Sequence, residues 1–270
     1  MNTGLACAAL AAIAAVAAPS AGHSQLRPPA NGGGIGDYTL HDFAAKWMMQ
    51  QDDIPEIARY HAANQTLITS GDKRPRIVLL GDSITDHWDS LETDSTPDLL
   101  VVNRGIGGQN TSQMLLRFQD DVVALSPAAV VILGGTNDLR AYVGDPASVG
   151  QSALARISRN ITAMADIAKG RGFKVILATL PPVGADREKV SRDAEAIKAV
   201  NSWIKAFAAE RGYPVADYHA ALVDAAGVLP PSLSPDGIHP NADGYAAMRS
   251  PLVQALAKAG LKLPAHKDQP

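Results

Sequence analysis

The segment Arg76-Ile-Val-Leu-Leu-Gly-Asp-Ser-Ile-Thr85 decides the fold. Its apolar run ends abruptly at Gly81, and Ser83 follows where a buried strand is expected to turn into a helix. The carboxyl end of a parallel strand opens into the crevice where α/β proteins bind ligands. A helix that begins at Ser83 would also direct its free amides and the positive end of its dipole toward that crevice. Taken alone, the segment equally fits an ordinary turn in which Ser83 caps the helix.

Four further apolar runs alternate with helix-length segments that carry one apolar stripe each. Strands that are continuously apolar and alternate with helices indicate a parallel sheet covered on both faces. We therefore predict an α/β fold, a three-layer αβα sandwich with a parallel sheet of about five strands. In the last helical segment, Ser250-Pro251 fits an N-cap followed by proline, so two short helices are an alternative to one. The predicted strands are Ile77–Leu80, Leu99–Val102, Ala129–Leu133, Val175–Thr179 and the weaker Pro214–Asp217.

The N-terminal region has the composition of a leader. Its apolar run from Leu5 to Ala18 is too short to span a bilayer and is followed by small residues, as in a signal peptide. No Lys or Arg precedes the run, so a disordered Ala-rich tail is the alternative. We expect an exported protein, periplasmic or extracellular, with no membrane span after cleavage and no cysteine, since Cys7 is the only one. The predicted boundaries are 1–22 for the signal peptide, 23–37 for a flexible linker, 38–75 for a helical preamble, 76–260 for the main domain and 261–270 for a C-terminal tail.

The charge balance excludes some partners. The formal net charge is −3, and Lys and Arg are not clustered. This distribution provides no electrostatic surface for nucleic acid or anionic lipid, so neither is expected as a partner.

Four short blocks carry the candidate chemistry, and each follows a predicted strand. Each block alone fits a turn, a cap or a strand exit. Together and in this order, they resemble the SGNH (GDSL-type) hydrolase family over about residues 76 to 256, especially the platelet-activating-factor-acetylhydrolase-like branch of secreted bacterial esterases. The resemblance implies a flavodoxin-like fold and ester hydrolysis. The blocks are Gly81-Asp82-Ser83, Asn103-Arg-Gly-Ile-Gly-Gly-Gln-Asn110, Gly134-Gly-Thr-Asn-Asp138 and Asp236-Gly-Ile-His-Pro240.

The residue types fit acyl transfer. Ser83 needs a base, and His239 has a carboxylate, Asp236, three residues earlier that can orient its ring. Gly108, which lacks a Cβ, and the Asn137 carboxamide offer donors for an oxyanion, together with the Ser83 amide. The resemblance implies the same roles: Ser83, Asp236 and His239 catalytic, and Ser83, Gly108 and Asn137 in the oxyanion hole. No metal or cofactor is called for.

Other residues receive weaker assignments. His219 is an alternative base. Asp86, His87 and Asp89 would not share a helix face, and they and Arg104 are expected to be solvated. Four residues are pocket candidates: Asp82, which is expected to order its turn; Trp88, as a wall or as core; Asn103, as a loop brace; and Pro181, as a wall.

These patterns predict a serine ester hydrolase that cleaves short-acyl or acetyl esters through an acyl-enzyme. The expected partner is a small-molecule or carbohydrate ester, and the sequence assigns no oligomeric state. An acyltransferase or carbohydrate deacetylase with the same site is one alternative. A non-catalytic exported binding module is an alternative of another class.

Overall fold

A five-stranded parallel sheet lies at the centre of the computed structural model, which describes residues 53–140, 146–186 and 192–263. The strands run in the order β2-β1-β3-β4-β5. Leu80 of β1 pairs with Arg104 on one side and Ile132 on the other, so the ends of β1, β2 and β3 lie at one edge. This is the flavodoxin-like order, in which β1 and β3 flank the switch point of the sheet. The strands are β1 (Arg76–Gly81), β2 (Leu100–Gly105), β3 (Ala129–Ile132), β4 (Lys174–Ala178) and β5 (Val215–Ala216).

Seven helices flank the sheet in the described part of the chain. Asparagine or aspartate side chains cap several of them: Asn110 caps α3 in a capping box with Gln113, Asp193 caps α5, and Asn241 caps α7. The helices are α1 (Ala58–Thr69), α2 (Ser83–Asp86), α3 (Thr111–Asp121), α4 (Pro146–Gly170), α5 (Ala194–Arg211), α6 (Tyr218–Leu222) and α7 (Ala242–Lys258). Short 3₁₀ turns cover Asp89–Asp94 and Val123–Leu125.

The core lies between the sheet and the apolar faces of these helices. The strand residues Ile77 to Leu80 are at most 4% exposed. Met114 and Phe118 of α3, with Ile157 of α4, belong to the same buried cluster. The predicted three-layer α/β sandwich with a five-stranded parallel sheet is therefore confirmed.

Three details differ from the sequence-based expectation. The last helical segment is one helix, α7, with Pro251 inside it, because its buried stripe (Met248, Leu252, Leu256) continues past the proline. The stripe of α3 ends at Asp121, so the last two apolar residues predicted for it, Val122 and Leu125, belong to the 3₁₀ turn and its cap. Leu263, which lies within the predicted tail of 261–270, is buried against the core.

The N-terminal predictions fall largely outside the described residues. The signal peptide (1–22), the linker (23–37) and the first part of the preamble, through residue 52, are in that group. The preamble helix within the described part is α1. None of the described helices is both long enough and apolar enough to cross a membrane.

Candidate active site

Ser83 is the first residue of α2, directly after the turn that ends β1. Asp82 is the N-cap, and its Oδ1 accepts a hydrogen bond of 3.0 Å from the Ile84 amide. The side chain of Asp82 is buried, which raises its pKa to about 6 against the opposing effect of that hydrogen bond. Asp82 thus orders the turn that presents Ser83, as the sequence predicts.

His239 connects Ser83 to an acidic group. Its Nε2 lies 2.8 Å from Ser83 Oγ, and its Nδ1 lies 2.6 Å from Asp236 Oδ2. When the ring proton is on Nδ1, the Nδ1–H donates a hydrogen bond to the Asp236 carboxylate, and Nε2 is free to accept a hydrogen bond from the serine hydroxyl. The chain of contacts can therefore remove a proton from Ser83.

Asp236 is held as a carboxylate by its own turn. Its Oδ1 accepts hydrogen bonds of 2.8 Å from the amides of Ile238 and His239, and one of 3.1 Å from Ser234 Oγ. Burial raises the pKa of this carboxyl, but the hydrogen bonds from His239 and the two amides outweigh it and lower the pKa below its usual range. Asp236 is ionised at neutral pH and can stabilise a protonated His239.

The loop after β2 passes next to Ser83. A Cβ placed on Gly107 would lie 3.8 Å from the Cβ of Ser83. Gly108 has φ +81°, and a Cβ placed there would meet no atom within 4 Å. The backbone at Gly108 adopts a conformation that favours glycine, beside open space.

Asp86, which the sequence analysis expects to be solvated, supports this loop. Its Oδ2 accepts a 3.1 Å hydrogen bond from the Gly107 amide, and its Oδ1 pairs with Arg59 of α1 at 2.7 Å. Tyr60, the next residue of α1, donates a short hydrogen bond to the carbonyl of Gly105. The preamble helix, to which the sequence analysis gave no role, therefore contacts the start of the loop at Gly105 directly and Gly107 through Asp86.

Asn137 lies in the loop after β3 and contacts two other segments. Its Nδ2 donates to the carbonyl oxygen of Gln109 at 3.0 Å. Its Oδ1 accepts from Arg192 Nη2 at 2.8 Å, and Arg192 Nε donates to the Thr136 carbonyl at 3.0 Å. The sequence analysis included Gln109 in its second block without giving it a role, and it missed Arg192, which no motif marks.

The remaining pocket candidates have structural surroundings. Asn103 braces its loop as expected, donating to the Thr85 carbonyl at 2.7 Å and accepting from the Gly105 amide at 2.8 Å. Trp88 is 3% exposed and stacks on Tyr245 with ring centroids 5.3 Å apart, which fits the core alternative rather than a pocket wall. Pro181 is buried just after β4.

Arg104 is buried rather than solvated, which corrects the prediction. Its exposed fraction is 3%, its Nε donates to Asn64 Oδ1 at 2.9 Å, and its guanidinium lies 4.6 Å from the centre of the Tyr60 ring. The reason is α1, which covers the end of β2 and supplies both partners.

A second buried arginine, Arg117, joins the first two blocks. It donates to the carbonyl of Gly81 at 2.9 Å and to the side chain of Gln109 at 2.6 Å, and it pairs with Asp121 at 2.8 Å. The end of β1 and the loop that carries Gly108 are thus held by one side chain.

Two other histidines named in the sequence analysis are His87, expected to be solvated, and His219, the alternative base. The ring of His87 lies 5.2 Å from that of His239, and burial, together with the charge of His239, lowers its pKa. His219 is the second residue of α6, and burial lowers its pKa as well. The ring that hydrogen-bonds to Ser83 is that of His239. Among the described residues, no three His, Cys, Asp or Glu side chains are grouped to hold a metal ion.

Comparison with known proteins finds similar chains among the GDSL-like proteins. A GDSL-like lipase from Bacteroides thetaiotaomicron is 33% identical and superposes with a TM-score of 0.65 over 77% of this chain and 100% of its own. An uncharacterized lipoprotein of Bacillus subtilis, YqeF, is 31% identical over 40% of this chain and 49% of its own. The GDSL-like esterase Rv1075c of Mycobacterium tuberculosis is 27% identical over 71% of this chain and 65% of its own.

The chain spans between 40% and 65% of the length of the three curated relatives it matches. The family model for GDSL-like lipases and acylhydrolases matches residues 79–247, which is more than half of the chain and includes all four blocks. The protein belongs to the GDSL-like lipase/acylhydrolase family.

Proposed function

We propose that the protein is a serine ester hydrolase in which Ser83, His239 and Asp236 form the catalytic triad. The observation that carries the proposal is the continuous chain of two hydrogen bonds, 2.8 and 2.6 Å long, from Ser83 Oγ through the imidazole to Asp236. A serine on a surface turn would not need a histidine held in one orientation by an ionised carboxylate.

In the first half of the reaction, Ser83 Oγ attacks the carbonyl carbon of the ester while His239 Nε2 takes its proton. The tetrahedral intermediate collapses to an acyl-enzyme, and His239 returns the proton to the departing alcohol oxygen. Water then attacks the acyl-enzyme with His239 as base, and the acid and free Ser83 are released. Asp236 stays ionised throughout and stabilises the imidazolium.

The oxyanion formed in both halves needs donors. The Ser83 amide at the start of α2, the Gly108 amide and the Asn137 Nδ2 are proposed for this role. Each such donor contributes about 3–4 kcal/mol to the transition state, or about a hundred- to a thousand-fold in rate. Support comes from the contact between Asn137 and Gln109, which brings the third block to the residue after Gly108.

Short-acyl or acetyl esters of small molecules or carbohydrates are the proposed substrates. The connection between β2 and α3 contains only residues 106–110, so it supplies no long apolar insertion to line a deep acyl channel. Export is proposed from the leader-like N-terminus and agrees with the lipoprotein among the relatives.

The test is hydrolysis of p-nitrophenyl acetate, butyrate and octanoate, with an acetylated sugar alongside, by wild type and two histidine variants. His239→Ala should lose at least about a thousand-fold in kcat, because the base is removed. His219→Ala is the matched control and should keep its rate. Near-normal turnover by His239→Ala with loss in His219→Ala would move the base to His219, and a preference for octanoate would refute the short-acyl assignment.

A further inference from the structure

We propose that Arg192 is a positioning residue of the oxyanion hole, which fixes the Asn137 carboxamide so that an N–H group faces the reacting carbonyl. The inference rests on the proposed function, because the orientation of Asn137 affects rate only if an oxyanion forms beside it.

The Asn137 carboxamide is held at both ends. Its oxygen accepts from Arg192 Nη2 at 2.8 Å, and its nitrogen donates to the Gln109 carbonyl at 3.0 Å. A rotation of 180° would place two acceptors together at Gln109 and two donors together at Arg192, so both hydrogen bonds would be lost. The amide nitrogen carries two hydrogens, and one of them is donated in the hydrogen bond to the Gln109 carbonyl. The other hydrogen can be donated to a ligand.

Arg192 is itself fixed. Its side chain is 9% exposed, and its Nε donates to the Thr136 carbonyl while Nη2 reaches Asn137. Two nitrogens of one planar guanidinium therefore bind two successive residues of the β3 loop. A lysine would bring one charged nitrogen without this planar fork, so it would not reproduce both contacts.

The charge of Arg192 adds to its geometry. A cation bound at the oxygen of a carboxamide polarises the amide and makes its N–H groups stronger donors. The same charge reaches the nucleophile turn, where it partly offsets the rise that burial causes in the pKa of Asp82. Arg192 thus acts on the site from the segment that precedes α5, without being assigned contact with the substrate.

The experiment is a double-mutant cycle on p-nitrophenyl acetate hydrolysis with Arg192→Met, Asn137→Ala and the double variant. Arg192→Met should lower kcat by about 10- to 100-fold, part of the effect of losing an oxyanion donor, while KM changes less than about threefold. The double variant should be no slower than Asn137→Ala by more than about threefold, because Arg192 then has nothing left to orient. The proposal would be overturned if the loss of kcat in the double variant equalled the product of the two single losses, or if kcat were unchanged in Arg192→Met.

Two controls separate positioning from folding. Arg211→Met removes a guanidinium from the far end of α5, about 27 Å along the helix, where it pairs with Asp166 at 2.9 Å, and should leave kcat unchanged. Arg192→Lys keeps the charge and should lose less kcat than Arg192→Met. If the urea unfolding curve shows that Arg192→Met does not fold, Arg192→Lys replaces it in the double-mutant cycle.

A readout without turnover distinguishes failure of this inference from failure of the proposed function. In a ¹⁵N-labelled protein, the side-chain NH₂ signals of Asn137 are those missing from Asn137→Ala. They should shift in Arg192→Met and stay in place in Arg211→Met. If wild type hydrolyses no ester, the proposed function fails and the positioning role fails with it, whatever the NMR result. Turnover without the shift refutes Arg192 alone.

Discussion

Replacing Asp82 by asparagine should stabilise the protein, relative to wild type, more at pH 8 than at pH 4.5. Burial raises the pKa of Asp82 from 3.8 to about 6 in the folded protein. Between these two values the native state binds more protons than the unfolded state, so the stability of wild type falls as pH rises through this window. Once Asp82 is ionised in both the folded and the unfolded protein, this difference in its pKa lowers the free energy of unfolding by about 3 kcal/mol.

At pH 4.5 the ionisation of Asp82 lowers the free energy of unfolding of wild type by about 1 kcal/mol. Between pH 4.5 and pH 8 it lowers it by a further about 2 kcal/mol. The carboxamide of the Asp82→Asn variant would keep an oxygen for the Ile84 amide and carry no charge. Its NH₂ would take the place of Oδ2, a buried oxygen for which the described residues provide no hydrogen-bond partner. The unpaired NH₂ changes the stability of the variant by the same amount at every pH. Any change with pH in the difference in unfolding free energy between Asp82→Asn and wild type therefore reports the ionisation of Asp82.

Urea unfolding of wild type and Asp82→Asn at pH 4.5, 6 and 8 measures the gap. With a slope near 2 kcal/mol per M, the midpoint difference should shift in favour of the variant by about 1 M between the two ends. Asp82→Ala removes both charge and cap, so it should follow the same pH dependence while lying about 1 kcal/mol below Asp82→Asn. A gap that stays constant with pH, or moves in favour of wild type, would refute the reasoning.

Two further substitutions test the site. Asp236→Asn should lower kcat by about 10³- to 10⁴-fold with the fold intact, because an amide no longer holds the required tautomer of His239 or stabilises the imidazolium. Steady-state kinetics measures the loss, and a urea unfolding curve checks the fold. A loss below tenfold would contradict the prediction. Gly105→Ala should destabilise the protein by at least about 3 kcal/mol in urea unfolding, since its Cβ would overlap the backbone of Asp86. Gly107→Ala is the matched control, because its Cβ would meet Asp86 Oδ2 at an ordinary 3.6 Å, and it should cost less than about 1 kcal/mol. Equal losses in the two variants would show that the close contact between Gly105 and the backbone of Asp86 is not the cause.

The sheet could be predicted because its signals are local. The run Ile77–Leu80 and the runs of the next three strands are continuously apolar, and β1 to β4 are buried beyond their first residue. The pairing of Asp236 with His239 is also local, because three residues separate them within one turn.

The supporting contacts could not be predicted in this way, because they join residues far apart in sequence. Arg192 meets Asn137 across 55 positions, and Asn64 meets Arg104 across 40. The sequence analysis expected Arg104 to be solvated and gave Arg192 no role, whereas both are buried against specific partners. Arg117 did carry a signal: it lies next to Phe118 on the buried face of α3, with Asp121 four residues later, where a charge is costly unless it is paired.

The length of α7 shows the opposite failure, in which a strong local signal was overridden. Ser250-Pro251 fits a helix start, but the helix continues through it. Proline removes one hydrogen bond, while the buried residues on both sides, Met248 and Leu252, keep their places in the core.

The most direct test of the central claim is the reaction of wild type with a fluorophosphonate, read by intact mass and peptide mapping. The proposed triad predicts one covalent equivalent on Ser83, at a rate that falls by at least about a hundred-fold in His239→Ala, because the hydroxyl would then no longer be activated. Ser83→Ala should take up no reagent. An unmodified Ser83 under saturating reagent, or equal labelling rates in wild type and His239→Ala, would contradict the account.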